Sequence, residues 1–143
     1  MSEPAPFASV PRMADLIDIA VRGDRLKLVN KTRNSTLVDR LEVAATAKLR
    51  NKGLLGRNGL AVGEALWIIP CEAIHTFWMR FSIDLIYVDR NQRVAKVRRS
   101  VPPWRISGCL RAHSVIELPA GTLAEGTAEK GDELEFLLNG SHI

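Results

Sequence analysis

A mainly-β fold is what this sequence predicts: an antiparallel sandwich or a partly closed barrel carrying one or two short helices. Three observations lead to it. About eight short apolar segments recur along the chain, several of them alternating, a pattern of sandwiches and barrels. Turn-forming residues separate them, among them Gly23-Asp24, Asn58-Gly59, Pro102-Pro103 and Gly131-Asp132. The 143 residues, 46% of them hydrophobic, fit one domain with a core of its own.

The elements run in order from the N-terminus. Residues 16–21 and 26–30 read as two short strands, with Gly23-Asp24 as the hairpin turn between them. Leu37, Leu41 and Val43 mark a further strand, and Thr46 is placed to cap a short helix over residues 47–54. Gly53, Gly56 and Gly59 punctuate the end of that helix and the stretch beyond it. Residues 66–69 form a short apolar run that Pro70 stops. Over residues 75–81, His75, Phe77, Met79 and Phe81 share one face of an extended segment, and Thr76, Trp78 and Arg80 share the other. Residues 83–88 are apolar on both faces apart from Asp84, which suits a central strand or one covered on both sides. Asp89-Arg90-Asn91-Gln92 turns, and residues 93–101 return as the partner of a hairpin. Pro102-Pro103 opens a loop through Gly108, and residues 112–118 form another strand. Pro119-Ala120-Gly121-Thr122 leads into a short helical or irregular stretch. Residues 133–138 alternate as the last strand, with Leu134, Phe136 and Leu138 on one face.

Residues 1–12 have no basic start and no continuous apolar run, so they do not read as a secretory signal. Pro4, Pro6 and Pro11 suggest a loose arm. The expected organisation is a flexible arm over residues 1–14 and a single β-rich domain over residues 15–143. No window reaches the roughly 18 apolar residues of a membrane span, so no membrane association is expected and the cytoplasm is the expected location. There, Cys71 and Cys109 are expected as thiols. The formal charge of +4 permits an acidic partner without requiring one.

Between Cys71 and Asp89 a family becomes recognisable. The pieces are Gly53-Leu54-Leu55-Gly56, Ile74-His75-Thr76-Phe77-Trp78-Met79, Ile83-Asp84, Pro103-Trp104, and Glu117-Leu118-Pro119-Ala120-Gly121 followed by Gly131-Asp132. In this order, over roughly residues 36–138, the chain resembles the domain-of-unknown-function family DUF192. The resemblance implies a β-rich domain and no established activity. It marks His75, Thr76, Met79, Asp84, Pro119, Gly121 and Asp132 as family-type positions. Many members of the family carry an export signal, from which this N-terminus departs.

Several constellations bear chemistry. Cys71 with His75, and Cys109 with His113, each place three residues between a thiol and an imidazole, the natural ligands of zinc. On a strand, residues four apart lie about 13 Å from each other, so each pair would need a turn, and no metal or cofactor is expected. Cys71 with His75 as nucleophile and base lacks a recognisable motif. Apolar flanks raise a thiol pKa, so Cys71 reads as structural. If their segments pair, His75 and Asp84 approach each other, and a carboxylate that orients an imidazole serves catalysis, ligand binding or plain core satisfaction. Asp84 bonded only to backbone amides is the other reading. Trp78, Tyr87 and Trp104 could together make an aromatic binding face, and core packing is the other reading of Trp78. Trp104, beside Arg105 in a proline-rich loop, reads either as a loop anchor or as part of an aromatic binding face. Arg90, Arg93, Lys96, Arg98, Arg99, Arg105 and Arg111 form a basic run that alternates between faces and has no accompanying nucleic-acid signature, so nucleic-acid binding is not expected. Gly53, Gly56, Gly59 and Gly63 lack the Lys and Ser or Thr of a phosphate loop.

The expectation is thus a non-enzymatic module for a small carbohydrate-like or anionic ligand, held by His75, Asp84, Trp104 and Arg105. The competing expectations are an enzyme using His75 as general acid or base with Asp84, and an interaction protein using the basic hairpin. Oligomeric state is left open.

Overall fold

The computed structural model describes residues 11–138. Its first element is a helix, α1 (Met13–Arg22), where the sequence suggests a strand over residues 16–21. The helical state has a simple cause. Met13, Leu16, Ile19 and Ala20 fall on one face at helical spacing, and Leu16 and Ile19 bury there while Ile17 and Val21 stay exposed. Gly23, at φ 74°, ends this helix instead of turning a hairpin. Its N–H and that of Asp24 reach back to the carbonyls of Ala20 and Ile19. Of the arm expected over residues 1–14, residues 1–10 lie outside the described residues, and Met13 and Ala14 belong to α1.

Nine strands and one more helix complete the described chain. They are β1 (Leu26–Asn30), β2 (Ser35–Ala44), α2 (Ala47–Lys52), β3 (Glu64–Ile68), β4 (Ala73–His75), β5 (Ile83–Val88), β6 (Val94–Val101), β7 (Ile106–Gly108), β8 (Ser114–Pro119) and β9 (Leu134–Leu138). Seven strands form one curled sheet, a half-barrel, in the order β6-β5-β8-β3-β2-β1-β9, and β4 pairs with β7 apart from it. The mainly-β expectation holds. Strictly antiparallel pairing does not, because β2 and β3 run parallel. A parallel neighbour needs a crossover, and residues 45–63, with α2 inside them, supply it. Thr46 caps α2 as expected, its hydroxyl accepting from the Leu49 N–H at 3.2 Å.

The edge strands meet at one end. Arg93 bridges Glu133, and the amides of Val94, Gly131 and Leu134 bond across the seam to Asp132, Val94 and Gln92 at 2.8 Å each. An open edge is thereby paired where it would otherwise be exposed.

Alternation along the strands divides the core in two. On one face Trp67, Ile86, Ile116, Leu118 and Phe136 pack with Leu16 and Ile19 of α1. Trp67 and Phe136 stack with ring centroids 3.8 Å apart. On the other face Leu66, Ile68, Ile83, Leu85, Tyr87 and Val115 pack with Leu54 and Met79. Every residue of β5 is buried, as expected of a strand covered on both sides. Among the described residues no helix is long and apolar enough to cross a membrane.

Candidate functional site

The β4–β7 pair lies over the second face of the sheet. The Tyr87 hydroxyl and Ser107 Oγ are 2.7 Å apart in a buried hydrogen bond, and Lys96 Nζ donates to the Gly108 carbonyl at 2.8 Å. His75 is the last residue of β4, so the strand expected over residues 75–81 stops where it was expected to begin. Thr76 explains the stop. It is fully buried and binds the segment beyond Pro102-Pro103 rather than continuing a ladder. Its hydroxyl donates to the Pro102 carbonyl at 2.7 Å and accepts from the Arg105 N–H at 2.9 Å. Its backbone N–H donates to the Arg105 carbonyl, and its own carbonyl accepts from Trp104 and Met79.

This clamp holds Trp78 and Trp104 at φ of 68° and 70°, a region costly for bulky side chains and common in ligand clamps. Both rings face solvent, Trp78 with 72% and Trp104 with 53% of its surface exposed, which excludes core packing as the reading of Trp78, whereas Tyr87 is buried and lies outside any such face. They meet edge to face at 4.7 Å. Phe77 stacks on Trp104 at 5.8 Å and on His75 at 5.0 Å. The His75 Nδ1 accepts from the Phe77 N–H at 3.3 Å, which leaves Nε2 as the donor of the neutral ring. The result is an exposed aromatic shelf with His75 at one end and Arg105 beside Trp104.

His75 also lines a cavity of about 300 Å³. The sheet makes its floor through Ile68 and Glu117. The end of α2 and the turn after it make one wall, and residues 70–75 with Met79 make the other. Glu117 is paired in register with Leu66 and Leu85, is only 3% exposed, and has one carboxyl oxygen with no hydrogen-bond partner. Burial among leucines pushes its pKa up to about 7, against the pull of Arg57. Arg57 itself pairs with Glu42 at 2.7 Å. Gly53, at φ 50°, passes above the carboxyl, so that a Cβ there would lie 3.8 Å from Oε1. Burial likewise raises the Cys71 thiol, with Glu117 adding to the effect and a bond to the Ala73 carbonyl opposing it. Cys71 is therefore a poor nucleophile.

Asp84 does not orient His75. Both of its oxygens are occupied by backbone N–H groups, those of Ser100 (2.8 Å), Gly121 (3.1 Å) and Leu123 (2.8 Å). The strand pairing separates the two residues as well, since β5 lies between β6 and β8 while β4 meets only β7. The acid–base pair of the enzyme expectation is thus not assembled. Gly121 shapes the turn that closes on Asp84, and Pro119, at the end of β8, accepts from the Thr122 hydroxyl at 2.7 Å. Asp132 is a second structural carboxylate, accepting from Asn30, Arg33 and the Glu129 amide. Burial opposes its ionisation, but these bonds outweigh burial and hold its pKa below the usual range. Met79 packs in the second core and lines the cavity.

Among the described residues no group of three or more His, Cys, Asp or Glu is placed to hold a metal ion. In the basic run, Lys96 is engaged with Gly108, Arg93 with the Gly131 carbonyl, and Arg99 with the Leu123 carbonyl and Glu129. Sequence reasoning missed Glu117 and the place of Phe77 between His75 and Trp104. A signal for Glu117 existed, because it interrupts the apolar run Val115-Ile116-Glu117-Leu118 as Asp84 interrupts its own.

Comparison with known proteins bears on the family and the fold. The family model of DUF192, described as an uncharacterized ACR, matches residues 28–136. A UPF0127 protein of Thermococcus sibiricus is 34% identical over 119 residues, covering 76% of this chain and 73% of that protein. A UPF0127 protein of Pyrococcus horikoshii is 31% identical over 115 residues, covering 76% of this chain and 97% of that protein. Two crystal structures share the fold at 20% identity. A putative transcription regulator from Sinorhizobium meliloti 1021 has a TM-score of 0.69 over 79% of this chain and 92% of its own. A protein of unknown function from Novosphingobium aromaticivorans has a TM-score of 0.66 over 77% and 82%.

Proposed function

The chain belongs to the DUF192 family, and we propose that it acts as a non-enzymatic binding module for a small carbohydrate-like ligand seated on the aromatic shelf. The observation that carries the reading is the pair of solvent-facing tryptophans, both held at positive φ by bonds from the buried Thr76. Large apolar rings are costly to expose and their backbone is costly to strain, so a surface that does both suits a binding role. Aromatic faces stack against the apolar faces of sugar rings. His75 at the end of the shelf offers a hydrogen-bond donor, and Arg105, exposed beside Trp104, would meet an anionic substituent. Asp84 contributes by fixing the turn at Gly121 and the end of β6, with no direct contact to ligand.

The test is titration of monosaccharides against intrinsic tryptophan fluorescence, with melting temperature as a second readout. A ligand bound only by the native state raises that temperature. At least one sugar is expected to change the emission and raise Tm in the wild type. Trp104→Ala is expected to weaken its binding by about tenfold or more, the loss of roughly 1–2 kcal/mol of stacking. If no sugar affects wild-type emission or Tm, the reading fails.

A further inference from the structure

The cavity below the shelf has a polarity of its own. Its floor carries the Glu117 carboxyl, with Oε1 buried and unpartnered. The nearest carboxylate on β2, Glu42, is already held by Arg25 and Arg57. Arg50 and Lys52 at the rim form no ion pair among the described residues. The space thus has an acidic floor, a basic rim and no protein donor for the floor oxygen.

We propose that this cavity takes the primary amine of a small ligand, its ammonium group docked on Glu117 and its remainder directed to the rim. The proposal rests on the binding reading above in making His75 the shared boundary of shelf and cavity. A hydroxyl would supply Glu117 with one hydrogen bond. An ammonium supplies the bond and also the counter-charge that burial among Leu66 and Leu85 denies it. A metal ion would need further ligands, and no such group is present among the described residues.

Arg50 and Lys52 from α2, Arg57 after it, and Cys71 and His75 from the opposite wall are the other titratable or charged groups facing Glu117. The cations of this set reach water, where their repulsion of an entering ammonium is screened, while the floor lies in low dielectric. The same rim favours an anionic or hydroxylated far end and so sets the ligand's direction. With Glu117 protonated beforehand, its O–H bond breaks, the proton passes to solvent, and an N–H···O bond to the ligand forms. No electrons change hands.

The experiment is calorimetry on the full chain with ethanolamine, glucosamine and glucose. It is run at about pH 6, where Glu117 is mostly protonated, in two buffers of different ionisation enthalpy. Glucosamine is expected to bind about tenfold more tightly than glucose, with release of a fraction of a proton that glucose does not release. Glu117→Gln is expected to abolish both the preference and the release. Trp104→Ala is expected to weaken both sugars and leave their ratio intact. The proton count on the wild type alone tests the proposal even if a variant folds poorly. Equal affinity for the two sugars, or a preference that survives in folded Glu117→Gln, overturns the amine site and leaves the shelf standing. Binding of ethanolamine through Glu117 with neither sugar bound upholds the amine site and removes glucose and glucosamine as ligands of the shelf. No binding by any of the three overturns the amine site, and the shelf is then decided by the monosaccharide titration.

Discussion

Trp104 shows how a single residue separates a stabilising role from a functional one. Its φ of 70° suits glycine and not a large aromatic ring. If the ring served only as a loop anchor, its removal would destabilise the fold. If it is held there for a ligand, Trp104→Gly relieves strain of about 1–2 kcal/mol, offset in part by the backbone entropy of glycine. We expect Trp104→Gly to melt within a few degrees of the wild type, or above it, while losing emission changes with ligand. A fall in Tm of roughly ten degrees would make Trp104 an anchor. Asp84 is the opposite case. Its three backbone donors account for its burial fully, and the composition around it reveals an unusual acid without revealing its partners.

At the scale of elements, the shelf depends on two short segments that touch through Thr76. Thr76→Val keeps the shape and removes the hydroxyl, leaving the Arg105 N–H and the Pro102 carbonyl without that partner. The expected cost is about 2 kcal/mol, from orphaned backbone groups in a buried place. The more specific outcome is a red shift of tryptophan emission as Trp78 and Trp104 lose their fixed contact, read alongside urea denaturation. An unchanged emission spectrum would mean that the clamp does not set the shelf. Most elements were legible from sequence because strand alternation and turn residues are local signals, and the β5–β6 hairpin, β8 and β9 are places where those signals agree with the fold. α1 was misread because its short apolar stretch satisfies a strand as readily as a helix, and only burial against the sheet selects the helical face. Residues 75–81 failed for a different reason. Their alternation is real, but Thr76 bonds to a loop distant in sequence, and no local pattern encodes that.

For the whole molecule, two buried carboxyls pull stability in opposite directions with pH. Glu117 has a folded-state pKa of about 7, above its ordinary value of 4.5. The native state therefore holds a proton that the unfolded chain has given up, and stability falls as pH rises from about 4.5 to about 7. The loss is about 3 kcal/mol and is constant above that range. Asp132 has a depressed folded-state pKa, so its contribution is present above the unfolded value near 4 and is lost as pH falls through the folded one. Together they place the stability maximum on the acidic side of neutrality. Glu117→Gln should match the wild type at about pH 4.5 and melt several degrees higher at about pH 8, with the acid limb unchanged. Asp132→Asn should instead flatten the acid limb and leave the alkaline one. Thermal melts across this range decide both, and a Glu117→Gln advantage independent of pH would mean that the carboxyl is ionised without cost. The seam between β6 and β9 gives Asp132 its importance, because the turn it fixes, through Asn30 and Arg33, carries the bonds that join the two edges.

By itself the sequence determined the β-rich class, the family, most strand positions, the Thr46 cap and the set of residues worth testing. Each of these comes from periodicity, turn chemistry or an ordered set of short motifs, which are properties of near neighbours in the chain. Tertiary structure decided the parallel pairing of β2 and β3, the helical state of residues 13–22, the separation of Asp84 from His75 and the solvent-facing shelf. It also decided that Glu117, an acid in an apolar strand, has an unpartnered oxygen on a cavity floor. Those outcomes depend on which distant segments supply the donors, the cover and the low dielectric around a side chain, and the spacing of residues along the chain does not carry that information.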